Sequence, residues 1–329
     1  MLKRTALLAL YCAFILTVTE LVFRLDWLRY HPSLGTRLET RQIRESEFFS
    51  VNSTLTPPYR LKPNAAYQLT GALFKTNGQG YMGDTESDPK KINLLFLGDS
   101  VTFGHGVKPA QAFPALIKER LPGSRVAIVA VPGYNTDDEA VFLEEVLRSR
   151  RFVPDVVILQ FGANDFWYTT GHTRRGRPPY DSFYQTMPTL TFGEPTGLYR
   201  YLLQNSELFL RLHHAATLTL TSTGWVRPFP DRCAQLSHAL TRIRALSHEV
   251  GAKTIFCFCP YRDRSQLDSQ AAAQIARFEN MMDASIDLSQ SMENKPALWW
   301  NFYHPSAEGH RLIAEALYEK LSREGFLKK

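Results

Sequence analysis

From residue 91 onward, apolar and polar positions alternate in blocks rather than singly. "INLLFLG" (92–98), "RVAIVAVPG" (125–133) and "DVVILQFG" (155–162) are short, near-continuous apolar runs rich in β-branched residues. "KTIFCFC" (253–259) is a fourth, and "ALWW" (297–300) is a shorter fifth. Between them lie stretches with helical spacing at 110–121, 137–150, 231–250 and 269–285, and a last one begins near Ser306. That last stretch places apolar residues at Ile313, Leu317 and Leu321, a clean i, i+4 stripe. Dense apolar runs separated by helices predict parallel strands buried on both faces. The fold class is therefore α/β: a three-layer α/β/α sandwich, doubly wound around a parallel sheet.

Two regions break the pattern. Residues 30–90 hold no long periodic segment, and the turn-rich pieces "TPPYRLKPN" and "FKTNGQGYMG" predict short strands or a hairpin. Residues 166–230 form a long insertion after the third strand, rich in aromatic, Gly, Pro and Arg residues, with some helix at 197–215. An unpatterned segment of that length is usually functional or mobile. At the N-terminus, Lys3 and Arg4 precede an apolar run over 6–23 broken by threonines and Glu20. Its length is about the ~20 residues that a membrane helix needs. No small-x-small cleavage site follows it, and Cys12 stands after Tyr11 where a lipoprotein signal needs a small residue. The expected organisation is an uncleaved signal anchor and transmembrane helix over 1–28, an extension with short strands over 29–90, and the α/β domain over 91–329. Lys3 and Arg4 favour a cytoplasmic N-terminus, while Arg24, Arg29, Arg37, Arg41 and Arg44 on the other flank pull against it.

Composition narrows the class. Hydrophobic residues at 44% and charged residues at 21% are those of a folded protein. The net charge is +6, but the densest basic cluster, "HTRRGRPP" at 172–179, has no nucleic-acid-binding motif beside it. A nucleic-acid partner is not expected. Four cysteines include Cys12 in the apolar run, and the remaining three cannot form a complete disulfide framework. Cys257 and Cys259 share one face of a strand and read as small buried hydrophobes.

In an open parallel sheet, ligands bind at the carboxyl ends of the strands. Here those ends carry Gly98-Asp99-Ser100, Gly133-Tyr134-Asn135, Gly162-Ala163-Asn164-Asp165 and, near the C-terminus, Asn301-Phe302-Tyr303-His304-Pro305. A hydroxyl, a glycine amide, a carboxamide and an imidazole would converge on one edge. Those are the parts of acyl transfer: a base that activates the serine, and donors that hold the oxyanion. Ser100 taken alone reads more often as a helix cap. His310 reads as structural, and Asp99 as a hydrogen-bonding residue.

At these residues the sequence resembles the SGNH hydrolases of the GDSL esterase/lipase superfamily. The four blocks would be "GDSVTFG", "VPGYNT", "GAND" and "NFYHPSAEGH", in order, over about 91–325. The resemblance implies a flavodoxin-like sheet, Ser100 as nucleophile and His304 as its base. It further implies an oxyanion hole made by the Ser100 and Gly133 amides and the Asn164 side chain. Similar membrane-anchored bacterial members often carry a piece like "FKTNGQGYMG" before the catalytic block. No metal or organic cofactor is implied. One position departs: the aspartate usually found three residues before the histidine is Asn301 here. In a serine protease, the Asp-to-Asn change at the orienting position lowers kcat by ~10⁴. Three arrangements answer to this departure: a Ser–His dyad oriented by a backbone carbonyl, a substitute carboxylate, or a slow enzyme.

The resemblance implies a serine esterase for O-acetyl or other short acyl esters, with an acylated small molecule, a lipid, or a cell-envelope or exported glycan as substrate. An anchored enzyme of this kind would stand on the extracytoplasmic side. An O-acyltransferase on the same pair and a silent SGNH-fold binding protein are the rivals, the second resting on Asn301. A flavodoxin-like nucleotide binder would need a phosphate-cradling glycine loop, and "GDSVTFGHG" is not one.

Overall fold

In this computed structural model, the structure describes residues 11, 14–22, 49–51, 59–69, 72–162, 165, 229–260, 262, 269–293, 295–300 and 304–327. The chain divides into two compact units, 1–40 with 180–227 and 41–179 with 228–329. Of the first unit, only residue 11 and residues 14–22 are described; they are helical. Tyr11, Phe14, Leu16, Leu21 and Val22 are more than half exposed there. Among the described residues no helix is long and apolar enough to cross a membrane. The transmembrane helix expected over 1–28 is not found among the described residues, and 1–10, 12–13 and 23–28 of that stretch lie outside them. The insertion helix expected at 197–215 lies outside the described residues.

The second unit begins with short antiparallel pairs, β1 (Phe49–Val51) with β2 (Tyr59–Leu61) and β3 (Ala66–Leu69) with β4 (Ala72–Lys75). β5 (Met82–Gly83) follows, then the alternating part of the chain. Its elements are β6 (Asn93–Gly98), α1 (Ser100–Phe103), α2 (Phe113–Arg120), β7 (Arg125–Ala130), α3 (Thr136–Ser149) and β8 (Val156–Gly162). After residue 228 come α4 (Phe229–Glu249), β9 (Lys253–Cys259), α5 (Ser269–Glu279), β10 (Ala284–Asp287), α6 (Ser289–Met292) and α7 (Ala307–Arg323).

The six-stranded sheet runs β10-β9-β8-β6-β7-β5. Its strands are parallel except β5, which lies antiparallel on β7 as an edge. Every residue of β6 and β8 is buried, which is why both read as unbroken apolar runs. Side chains alternate between two cores. Leu94, Phe96, Ile158, Ile255 and Cys257 pack with Ile117, Ile313, Leu317 and Leu321 of α2 and α7. On the other face, Phe161 meets Phe256 of β9 and Phe278 of α5, and α3 packs against α4. Because the chain steps from β6 to β7 on one side and returns to β8 on the other, the ends of β6, β7 and β8 meet at a topological switch point.

The fifth parallel strand is not "ALWW". Residues Pro296–Leu298 form a 3₁₀ turn, and Trp299 makes only an isolated bridge to Pro305. The strand is Ala284–Asp287, which begins within the last two residues of the helix expected over 269–285 and runs past it. α5 stops at Glu279, where the Asn280 side chain donates to Ala276 O (2.8 Å). Asp283 is then seized by β9: it accepts from Thr254 N (2.8 Å), and its own N–H donates to Thr254 Oγ1 (3.1 Å). That reciprocal lock sets the parallel register between β10 and β9. Cys257 and Cys259 are free and buried; burial pushes the Cys257 thiol up to about 12 and also raises the Cys259 thiol well above its ordinary value, so both behave as small hydrophobes.

Candidate active site

The end of β6 runs directly into α1. Asp99 caps that helix, its carboxylate accepting from Val101 N at 2.8 Å. The cap expected of a lone Ser100 thus belongs to Asp99, which leaves the serine hydroxyl for another partner. That partner is His304: its Nε2 lies 2.9 Å from Ser100 Oγ, across 204 residues of chain.

His304 is placed by the turn before α7. Ser306 caps α7, and its N–H and Oγ donate to Leu298 O (2.8 Å) and Ala297 O (2.6 Å). Trp300 N donates to His304 O at 3.0 Å, closing the loop on itself. The imidazole is packed among rings: His105 with centroids 4.4 Å apart and Trp300 at 6.1 Å. Desolvation, then the neighbouring His105 and His310, hold the His304 pKa well below the ordinary imidazole value. The ring is neutral at neutral pH, and a neutral Nε2 is a proton acceptor. His310 is buried within α7, accepts from Phe113 N through Nδ1 (3.3 Å), and is pushed down to about 3 by burial.

The β7 end lies beside this pair. Val131 N donates to Gly98 O (3.2 Å), tying the two strand ends together. Gly133 takes a left-handed φ of 82°, within a turn closed by Tyr134 N on Val131 O (3.1 Å). The β8 end is bound to the same region through Asp165, which accepts from Gly162 N (2.9 Å), Thr136 N (2.8 Å) and Thr136 Oγ1 (2.7 Å). Burial pushes this carboxyl up to about 7, against the pull of those hydrogen bonds. Asn164 and Asn301 lie outside the described residues. Of the five site residues expected from sequence, the structure brings Ser100 and His304 into contact and sets Gly133 on the adjoining loop. The sequence reading missed His105 and Trp300; the glycines on either side of His105 were the available signal. Among the described residues, no group of three or more His, Cys, Asp or Glu side chains is arranged to hold a metal ion.

A mostly parallel α/β sheet, wound on both faces and with its strand ends gathered at one switch point, is the SGNH type of fold. The profile of the GDSL-like Lipase/Acylhydrolase family matches residues 96–312, well over half of the chain. The chain belongs to that family, and it is a hydrolase acting on ester bonds. Similar solved structures include TesA (15% identity, 70% of this chain and 98% of that one, TM-score 0.45). They include the psychrotrophic esterase EstA from Pseudoalteromonas sp. (13% identity, 70% and 97%, TM-score 0.44). A catalytic mutant of Axe2, an acetylxylan esterase from Geobacillus stearothermophilus, is also similar (16% identity, 73% and 96%, TM-score 0.43). No curated protein sequence matches the chain.

Proposed function

We propose that the protein is a serine esterase in which Ser100 is the nucleophile and His304 its general base. The observation that carries this reading is the 2.9 Å contact between Ser100 Oγ and His304 Nε2, made by a neutral imidazole. Ser100 Oγ attacks the ester carbonyl carbon as its proton passes to Nε2. The oxyanion is received by the Ser100 and Gly133 amides and the Asn164 carboxamide. On collapse, the C–O bond to the leaving alcohol breaks and the imidazolium returns the proton to it. Water, deprotonated in turn by His304, cleaves the acyl-Ser100 ester and releases the carboxylic acid. Asn301 is not a carboxylate; Asn301→Asp should raise kcat if the site lacks an orienting acid and leave it unchanged or lower if another group orients His304.

The substrate in this reading is an O-acetyl or other short acyl ester on an exported or cell-envelope glycan or lipid. The apolar segment over 6–23 would hold the enzyme at the membrane with its catalytic unit on the extracytoplasmic side. The exposure of Phe14, Leu16, Leu21 and Val22 supports that placement.

Labelling by a fluorophosphonate probe, together with hydrolysis of p-nitrophenyl acetate, tests the site. Ser100→Ala should abolish labelling, and His304→Ala should lower kcat by about 10⁴-fold or more. Unchanged labelling of Ser100→Ala would sink the reading. Folded wild-type protein that neither labels nor hydrolyses would be a silent scaffold. Transfer of the acetyl group to an added glycan rather than to water would make it an acyltransferase.

A further inference from the structure

His105 is a buried titratable side chain, 1% exposed, that the reaction above does not use. Its placement is costly to the backbone. Gly104 and Gly106 on either side both take left-handed φ values, 89° and 93°. A Cβ on Gly106 would lie 2.4 Å from Trp300 Cε3, so only glycine lets this turn pass under the Trp300 ring. His105 N donates to Ser100 O at 3.0 Å, so the turn is anchored on the nucleophile's own carbonyl. The result is a ring laid on another ring: the His105 and His304 centroids are 4.4 Å apart at an interplanar angle of 35°. The Trp300 ring stands edge-on to His105, with centroids 5.6 Å apart.

We propose that His105 is a positioning residue for the general base: its ring, laid against the His304 imidazole, holds that imidazole in line with Ser100 Oγ. The inference rests on the Ser100–His304 reading. In that reading the His304 ring must stay in line with Ser100 Oγ, and the His105 and Trp300 rings packed around it restrict its rotation. An imidazole turned away from Ser100 Oγ cannot take its proton, so this packing is worth rate rather than binding.

The experiment measures kcat and KM for p-nitrophenyl acetate in the full chain, with thermal unfolding alongside. His105→Ala removes the ring packing, and its kcat should fall about tenfold or more with KM unchanged at temperatures where the variant is folded. His105→Phe keeps a ring against His304 and should recover most of that loss. Ser100→Ala and His304→Ala run alongside. If both are inactive while folded His105→Ala keeps the wild-type kcat, or His105→Phe loses as much kcat as His105→Ala, the role of His105 is overturned and the esterase reading stands. If Ser100→Ala remains active, the esterase reading falls and the role of His105 falls with it.

Discussion

At the first residue of α1, Ser100 could have served its own helix, since serine is among the preferred caps. Asp99 takes that task, and the division of labour between two adjacent residues is what leaves Oγ for His304. The glycine at 106 is equally specific. Gly106→Ala would place a methyl against Trp300 and hold an alanine at positive φ, a backbone cost of about 1–3 kcal/mol before the ring contact is counted. Because Trp300 N is bonded to His304 O, displacement of the ring is passed to the base. Thermal unfolding of Gly106→Ala should show a Tm several degrees lower, and kcat should fall at temperatures where the variant is still folded. A variant with wild-type kcat would mean that the Trp300 loop moves independently of His304.

At the scale of elements, the extension before β6 braces the site from two of its strands. Arg60, on β2, donates to Tyr134 Oη (2.7 Å) and to Glu145 of α3 (2.7 Å), with its guanidinium 5.2 Å from the Phe142 ring. Tyr134 follows Gly133, so β2 braces the loop that carries the second amide of the proposed oxyanion hole. β4 adds a second brace, with Phe74 stacked on Phe103 of α1 at 4.6 Å. Arg60→Met should cost about 1–3 kcal/mol in urea unfolding, since the buried Tyr134 hydroxyl loses a charged donor. It should also reduce kcat several-fold with KM unchanged; a fall in stability with no change in kcat would separate the brace from the chemistry. On the opposite helical layer, Leu317 is fully buried. Leu317→Ala should cost about 2–5 kcal/mol through the cavity it leaves, read in the same unfolding assay.

For the molecule as a whole, buried ionisable groups make stability depend on pH with opposing signs. The folded pKa of His310, about 3, lies below the unfolded value of 6.5. Below pH 6.5 the unfolded chain takes up a proton there and the folded chain does not, so stability falls as pH falls. His304 acts in the same direction. Asp165 is opposite: its folded pKa of about 7 lies above 3.8, so the folded chain holds a proton that the unfolded chain releases, and stability rises as pH falls from 7 towards 4. Asp84 and Asp283, held below the usual carboxylate value despite partial burial by Lys118 and His248 among other partners, lose their contribution only in stronger acid. His310→Asn keeps an acceptor for Phe113 N and removes one titration. The variant's stability relative to wild type should improve by about 1.4 kcal/mol per pH unit on going from pH 6.5 to 5. Equal differences at pH 7.5 and 5 would count against a neutral buried His310.

Much of this protein is written locally. The runs at 92–98, 125–133, 155–162 and 253–259 became β6, β7, β8 and β9 because a strand covered on both faces is apolar at most positions, a pattern legible without knowledge of the partner. The stripe Ile313, Leu317 and Leu321 marked α7 for the same reason, as all three are fully buried. The four short blocks likewise pointed to the family that the profile then matched. Local pattern records burial, however, and not what is buried against what. Residues 284–287 join the sheet because Asp283 and Thr254 lock them to β9, while "ALWW" turns away to carry the loop of His304. Sequence alone could not tell that Asp99 would cap α1 in place of Ser100. Nor could it bring His105, 199 residues from His304 in chain numbering, onto the face of that ring. Sequence determined the strands and the blocks of the site; only the tertiary structure decided which ring lies against which, because contacts between distant segments leave no periodic mark on either one.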